Sequence, residues 1–136
     1  MHISAVSPTQ EELDTMSFEF SEGDYCIGDL CYLFEGEEWD QLLRLSVEKD
    51  DGDFIMSASV DGMDILALGT EHGDGIYEDN YGNSYGVDSG TLGIVPAELV
   101  DPDLDTLTHF TFSQPFTVSK DGPIIRFGGV SIDTDF

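Results

Sequence analysis

Residues 54–69 read FIMSASVDGMDILALG, and this stretch decides the fold. Two apolar runs, FIMSASV and MDILALG, flank the dipeptide Asp61-Gly62. An Asp-Gly pair between apolar runs is typical of a tight β-hairpin, because both residue types tolerate the positive φ angles of the turn. The stretch therefore predicts two antiparallel strands around Asp61-Gly62.

Short strands separated by turn residues continue on both sides of this hairpin. Toward the N-terminus, Phe18 and Phe20 alternate with polar neighbours, and YCIGDLCYLF (25–34) predicts a strand broken or bulged at Gly28-Asp29. Toward the C-terminus, a glycine-rich hairpin turns at Asn80–Asn83. Four more short strands, HFTFS, PFTVS, PIIRF and VSID, follow between Pro and Gly turns.

One segment has helical periodicity, GEEWDQLLRLSVEK (36–49). Its apolar residues Trp39, Leu42 and Leu43 recur at helical spacing, and the acidic residues of its first turn favour a helix N-terminus. Strands with turns every eight to twelve residues and one helix predict an α+β fold. We expect a mainly antiparallel β-sheet or small barrel with one packed helix at about residues 36–48.

The 136 residues fit a single domain, 1–136, and its charge is unevenly distributed. Residues 1–16 form a polar lead-in with a short helical turn around Gln10 to Met16. The first 105 residues hold 26 acidic and two basic residues, whereas the last 31 hold three acidic and two basic ones. Residues 106–136 are therefore expected to form near-neutral closing strands behind a charged outer surface.

The net charge of -25 comes from 29 acidic residues and only four basic ones. Self-repulsion of this size destabilises a compact state, so it suggests a role in binding something positive. The chain nevertheless has nine Phe, nine Ile and one Trp, which are scarce in acidic disordered tails. We therefore expect a folded body with a negative surface.

Membrane insertion and secretion are not expected from the sequence. No apolar run approaches the roughly 18 residues of a spanning helix, and MHISAVSPTQEELD lacks the basic and apolar regions of a signal peptide. Cys26 and Cys31 are too few for a disulfide framework and are expected to be reduced thiols. The expected location is the cytoplasm.

Two glycine-containing motifs carry a resemblance. The segments GDLCYLF and GDGIYEDNYGNSYGVDSGTLGIVP resemble a loose group of small proteins from phage and bacterial genomes. In that group a G-D-x-C-Y strand precedes a Trp-containing helix, and a G-D-G-x-Y-x-D hairpin leads into V-D-[SA]-G-x-x-G-I-V-P. The resemblance covers about residues 24–98 and implies a phage-associated protein, acting in the cytoplasm of a host cell. It implies no activity.

The segment Val87-Asp88-Ser89-Gly90-Thr91 also resembles the D-[ST]-G-[ST] loop of retroviral-type aspartic proteases. There, two Asp residues share a proton, so a chain with one copy must dimerise and would use Asp88 in each copy. Gly86 departs from the family pattern, and two bodies of charge -25 would have to meet at the site. A protease-like homodimer is thus a minor alternative.

Metal sites and cofactors are not predicted. His2, His72 and His109 are scattered, and neither Cys pairs with them at a zinc spacing. Acidic residues gather at 50–53 and 74–88 as calcium ligands would, but neither group has the spacing of an EF-hand loop.

The charge favours a DNA mimic. Duplex DNA carries one charge per roughly 1.7 Å of axis, so 25 charges correspond to about 12 base pairs or 40 Å. We expect a phage-type inhibitor that blocks the basic groove of a host nucleic-acid-binding protein, such as a defence protein, without binding nucleic acid itself. The expected contacts are the acids of the helix, its flanking turn and the glycine-rich hairpin, namely Glu35, Glu37, Glu38, Asp40, Glu48, Asp50, Asp51, Asp53, Asp74, Glu78 and Asp79.

The same charge is compatible with salt adaptation and with solubility alone. Halophilic proteins combine abundant Asp and Glu with scarce Lys, and a strongly charged surface can keep a protein soluble without any partner. In addition, the near-neutral last quarter, with Phe110, Phe112, Phe116 and Phe127, could be core or a self-association surface. A homodimer through that surface would double the acidic array.

Overall fold

The computed structural model describes residues 2–49 and 52–135, and within them the chain is mostly antiparallel β-structure. The strands are β1 (Ile3–Ala5), β2 (Ser17–Phe20), β3 (Gly23–Gly28), β4 (Val47–Glu48), β5 (Phe54–Val60), β6 (Met63–Gly69), β7 (Gly75–Glu78), β8 (Ser84–Val87), β9 (Thr91–Pro96), β10 (Thr108–Phe112), β11 (Phe116–Asp121), β12 (Ile124–Phe127) and β13 (Val130–Asp133). The helices are α1 (Gln10–Thr15) and α2 (Glu37–Arg44), with 3-10 turns at Leu30–Tyr32 and Ala97–Leu99. The predicted α+β class is confirmed.

A central sheet of strand order β1-β5-β6-β9-β3-β10 organises the molecule. Its β5–β6 hairpin forms as predicted, with Val60 opposite Met63 and positive φ angles of 52° at Asp61 and 83° at Gly62. The short strand β4 pairs with the start of β5, and β1 pairs with its end.

The inner strands of the central sheet are buried on both faces, which explains their nearly continuous apolar runs. Along β6, Leu66 and Leu68 belong to one core, whereas Ile65 and Ala67 belong to the other. Successive side chains of a strand point to opposite faces, so each inner strand supplies both cores.

The first core lies between the central sheet and a second layer of strands. That layer contains a four-stranded sheet of order β13-β12-β11-β2 and the β7–β8 hairpin, which touches β13 through a bridge between Asp79 and Ile132. Fully buried side chains such as Val118, Ile125 and Phe127 fill it from the four-stranded sheet.

The second core lies on the other face of the central sheet, under α2 and the irregular segments. Leu42 of α2 and Leu30 and Phe34 before it are fully buried there. The helix is shorter than predicted, at residues 37–44 instead of about 36–48. It ends because residues 47–48 pair with β5 as β4, and tertiary pairing overrides the local periodicity.

The segments before α2 agree with the prediction only in part, although the helical turn near Gln10 forms as α1. The lead-in at residues 1–16 contributes β1 to the sheet and contains α1, whose capping box joins Thr9 and Glu12. The predicted strand at 25–34 ends at Gly28, because Asp29 caps a 3-10 turn that leads the chain to the second core. The predicted closing strands form as β10 to β13.

Candidate functional site

A buried carboxylate joins the two sequence motifs. Asp29 is fully buried, and its Oδ2 accepts hydrogen bonds from the backbone N–H groups of Asp88 and Ser89, both at 2.8 Å. Its Oδ1 accepts from Cys31 N at 3.1 Å and from the Ser89 hydroxyl at 2.6 Å. The Asp of the G-D-x-C-Y segment thus holds the V-D-S-G loop at the end of β8.

Hydrogen bonds next to Asp29 also hold the side chain and the backbone of Asp88. The Tyr32 hydroxyl donates to Asp88 Oδ2 at 2.6 Å, and this hydrogen bond is the main reason that the pKa of Tyr32 is raised to about 12. Burial, together with Asp29, raises the pKa of the Cys31 thiol to about 12, so the thiol stays protonated and weakly nucleophilic at neutral pH. Asp88 remains exposed, with its backbone fixed by Asp29.

Asp79 is predicted from the sequence as a partner contact, and its position corrects that prediction. Its side chain is buried, and it accepts from Tyr81 N and Asn83 N, from the Asn83 amide and from the Tyr85 hydroxyl. Burial alone would raise the pKa of Asp79, but these hydrogen bonds outweigh it and lower the pKa. The carboxylate closes the turn of the β7–β8 hairpin and is directed away from solvent.

The loops at one end of the central sheet are tied to one another. The Thr70 hydroxyl donates to Gly73 O at 2.7 Å, and Thr70 N donates to Gly90 O at 2.9 Å. Glu71 N donates to the Thr134 hydroxyl at 3.0 Å, and His72 lies 2.9 Å from an Asp135 oxygen. These contacts connect the loops that follow β6, β8 and β13.

An ion pair extends this connection to β5 and β11. Lys120 Nζ lies 2.8 Å from Asp53 Oδ1, and the Lys120 side chain is only 7% exposed. Thr134 N donates to Pro123 O at 2.9 Å, which attaches the β11–β12 turn to the end of β13. The positive charge of Lys120 is therefore neutralised inside the contact between the layers.

Exposed carboxylates from these separate loops share this end of the molecule. We call the set the acidic end, and it consists of Glu71, Asp74, Asp88, Asp121, Asp133 and Asp135, all of them exposed. Glu48 is also exposed nearby, since it pairs with Phe54 beside Asp53. The acidic end thus combines acids that are distant in sequence and are positioned by hydrogen-bonded backbone.

The predicted contact residues do not form one surface. Of these residues, only Asp74 belongs to the acidic end. Glu48 lies beside it, and the nearby Asp53 is engaged with Lys120. Glu35, Glu37, Glu38 and Asp40 precede or belong to α2, which packs on the second core. Glu78 lies on the β7–β8 hairpin, which packs on the first core at the opposite face of the sheet. Asp50 and Asp51 lie outside the described residues.

Sequence reasoning missed most of the acidic end because its members come from turns far apart in the chain. Asp121 and Asp133 sit in the near-neutral last quarter, where local charge density gives no signal. The turn residues Asp121-Gly122-Pro123 indicate where a strand ends, but they do not indicate which other strand ends lie beside it. Only the sheet order brings these ends together.

The described residues contain no group of three or more His, Cys, Asp or Glu side chains that could hold a metal ion. In the parts of the chain that the structure describes, no helix is long and apolar enough to cross a membrane. No protein-family model, no curated protein and no solved structure matches this chain.

Proposed function

We propose that this protein uses the acidic end to bind the basic nucleic-acid-binding groove of another protein, and that it thereby competes with DNA. The target is a protein of a host cell, such as a defence protein, and the resemblance to phage proteins supports this setting. The action is steric and electrostatic, without chemistry. The observation behind the proposal is that exposed carboxylates from several loops are positioned together by hydrogen bonds.

Positioned carboxylates favour competition with a polyphosphate for two reasons. Little conformational entropy is lost on binding when the charged loops are already ordered. When the acidic end binds the basic groove, it also releases the cations associated with its carboxylates, as DNA releases those of its phosphates. The affinity should therefore fall steeply as the salt concentration rises.

The size of the acidic end sets the extent of the mimicry. Its six exposed charges correspond to about 10 Å of duplex axis at one charge per roughly 1.7 Å. This is much shorter than the 40 Å that matches the total charge. The acidic end would therefore replace only the part of the duplex that enters the groove, while the other acids add long-range attraction.

Two matched triple variants test whether position or total charge matters. The first, Glu71→Gln with Asp121→Asn and Asp133→Asn, removes three of the six charges of the acidic end. The second, Glu37→Gln with Glu38→Gln and Asp40→Asn, neutralises α2. Each removes three negative charges, so they differ only in where the charge is lost.

The assay is capture of basic proteins from host lysate on the immobilised chain, followed by salt-gradient elution and competition with duplex DNA. We expect wild type and the α2 variant to retain one DNA-binding protein, and the acidic-end variant to release it at clearly lower salt. Simultaneous binding of DNA and this protein to the captured target would refute the proposal. Equal losses in both variants would mean that binding depends on the total charge and not on its position, and would contradict a specific role for the acidic end.

A further inference from the structure

The central sheet ends in a strand whose outer edge is unprotected. Among the described residues, no strand pairs with β10 on the side away from β3. Its sequence, THFTF, contains no Pro and no Asp, Glu, Lys or Arg, which are the residues that usually prevent edge-to-edge pairing. At the other edge of the sheet, β1 is only three residues long. The β10 edge is therefore the one suited to accept a further strand.

A cavity lies on each face of β10. Phe110 lies opposite Tyr25, a first-core residue, and with Phe112, Tyr81 and Val130 it lines a cavity of about 300 Å³. His109 lies opposite Cys26, a second-core residue, and these two line another cavity of about 300 Å³.

The first cavity is aromatic and open to solvent. Tyr81 is 66% exposed, and its ring centroid lies 6.4 Å from that of Phe110, which lies 6.4 Å from that of Phe112. The second cavity is lined by Ala97, Val100, Leu104 and Leu107, together with the acidic residue Asp101 near His109. An added strand would place alternate side chains into the two cavities, as in recognition by β-augmentation.

We propose that the strand added to β10 is β10 of a second copy of this chain, running antiparallel to the first. An antiparallel pair related by a two-fold axis is self-complementary, and residues directly opposite share one face. Phe110 and Phe112 of both copies then lie on the face of the aromatic cavity. His109 of both copies lies on the face of the second cavity.

Charge selects this surface for self-association. Two bodies of charge -25 repel each other, and the least repulsive contact uses a segment without acids. Residues 106–136 hold three acids, all of them at the acidic end and none on β10. Asp24, which lies opposite Thr111 on β3, already accepts a hydrogen bond from the Thr111 hydroxyl at 2.6 Å. The Phe112 end of β10 pairs with the start of β3, whereas the acidic end lies beyond the end of β3. The dimer therefore leaves the acidic ends uncovered.

The salt response separates this dimer from the proposed groove binding. Screening weakens the repulsion between copies, since the Debye length falls from about 10 Å at 0.1 M salt to about 3 Å at 1 M. Dimerisation should therefore strengthen with salt, whereas binding to a basic groove should weaken. Either proposal can fail without the other.

Sedimentation velocity of wild type, Thr111→Glu and Thr117→Glu over a concentration series at about 0.1 M and about 1 M NaCl tests the dimer. Thr117 is a matched control. Its hydroxyl donates to Glu19, just as the hydroxyl of Thr111 donates to Asp24. Thr117 lies on β11, outside the proposed dimer contact. Each variant adds one charge beside one carboxylate. We expect the dimer of Thr111→Glu to be weaker by about tenfold or more, since each copy brings an added negative charge into the contact between the two strands, and that of Thr117→Glu to match wild type.

Hydrogen exchange on wild type supplies a measurement that does not depend on a variant folding. Amide protection at residues 108–112 should rise as the protein concentration rises at high salt. If the wild-type protein stays monomeric at about 1 M salt, the proposal is overturned. The β10 edge would then be suited to bind an extended segment of another protein. Dimerisation of Thr111→Glu equal to wild type, or protection that does not change on association, would also overturn it.

Discussion

Replacing Asp29 by Asn should destabilise the protein strongly, although the two side chains have nearly the same volume. Each carboxylate oxygen accepts two hydrogen bonds, Oδ2 from Asp88 N and Ser89 N and Oδ1 from Cys31 N and the Ser89 hydroxyl. The amide of Asn has a single acceptor oxygen. Placed at the Oδ2 position, that oxygen keeps two bonds, while the new NH₂ group can donate to the Ser89 hydroxyl but faces the N–H of Cys31.

The magnitude follows from these four contacts. A hydrogen bond to a charged acceptor contributes about 1.5–3 kcal/mol and one to a neutral acceptor about 0.5–1.5 kcal/mol, so the two retained bonds each weaken by about 1 kcal/mol. The orphaned Cys31 N–H adds about 1 kcal/mol or more. We expect a total of roughly 3 kcal/mol, a large part of the 5–15 kcal/mol that is typical of a domain.

Urea denaturation followed by tryptophan fluorescence measures the free energy of unfolding, with Asp88→Asn as the control. Asp88 is exposed, and an Asn there still accepts from the Tyr32 hydroxyl, so its variant should lose less than about 1 kcal/mol. An Asp29→Asn variant within about 1 kcal/mol of wild type would refute the assignment of Asp29 as the anchor of the 88–90 loop.

Packing and charge lead to three more expected outcomes. The pKa of Asp79 is lowered in the folded state, so its contribution to stability is present above its unfolded pKa near 3.9 and is lost as pH falls through the lower folded value. Asp79→Asn should therefore lower the free energy of unfolding at pH 7 and lower it less near pH 3, as measured by urea denaturation. An equal loss at both pH values would contradict this. In Gly93→Ala the new Cβ would lie 2.7 Å from two Leu30 carbon atoms and from the backbone oxygen of Leu66. We expect the free energy of unfolding to fall by about 2 kcal/mol or more in the same assay. Gly86→Ala is the control, because its nearest contact would be at 3.8 Å and the substitution should be tolerated. The melting temperature should rise with KCl and level off once the repulsion is screened, at a few tenths molar; a continued rise into molar KCl in scanning calorimetry would favour salt adaptation instead.

Local sequence predicted those features of the fold that depend on neighbouring residues. The Asp61-Gly62 hairpin follows from turn chemistry and two adjacent apolar runs, and the strands β10 to β13 follow from Pro and Gly spacing. The length of α2 did not follow, because β4 forms only when β5 is beside it. The role of Asp79 did not follow either, since its partners Tyr81, Asn83 and Tyr85 surround it only in the folded hairpin.

The candidate site shows the same division more sharply. A sequence window shows that acids are dense around α2 and the hairpin, but the structure places those two elements on opposite faces of the central sheet. Nothing in the local sequence singles out Asp133, yet its strand ends beside the loop after β6, through the bond from Glu71 N to Thr134. Charge density along a chain is a one-dimensional quantity, whereas a binding surface depends on which strand ends are neighbours.

By itself, the sequence determined the α+β class, the main hairpins and the large excess of negative charge, because propensity, periodicity and composition act over a few residues or over the whole chain. The tertiary structure decided which carboxylates are buried as structural acceptors, which ones gather at the acidic end, and that β10 is left at the edge of the sheet. Those outcomes depend on strand order and on contacts between residues about 60 positions apart, such as Asp29 with Ser89 and Glu71 with Thr134. Such contacts form only when burial of both cores outweighs the entropy of closing the long loops between them.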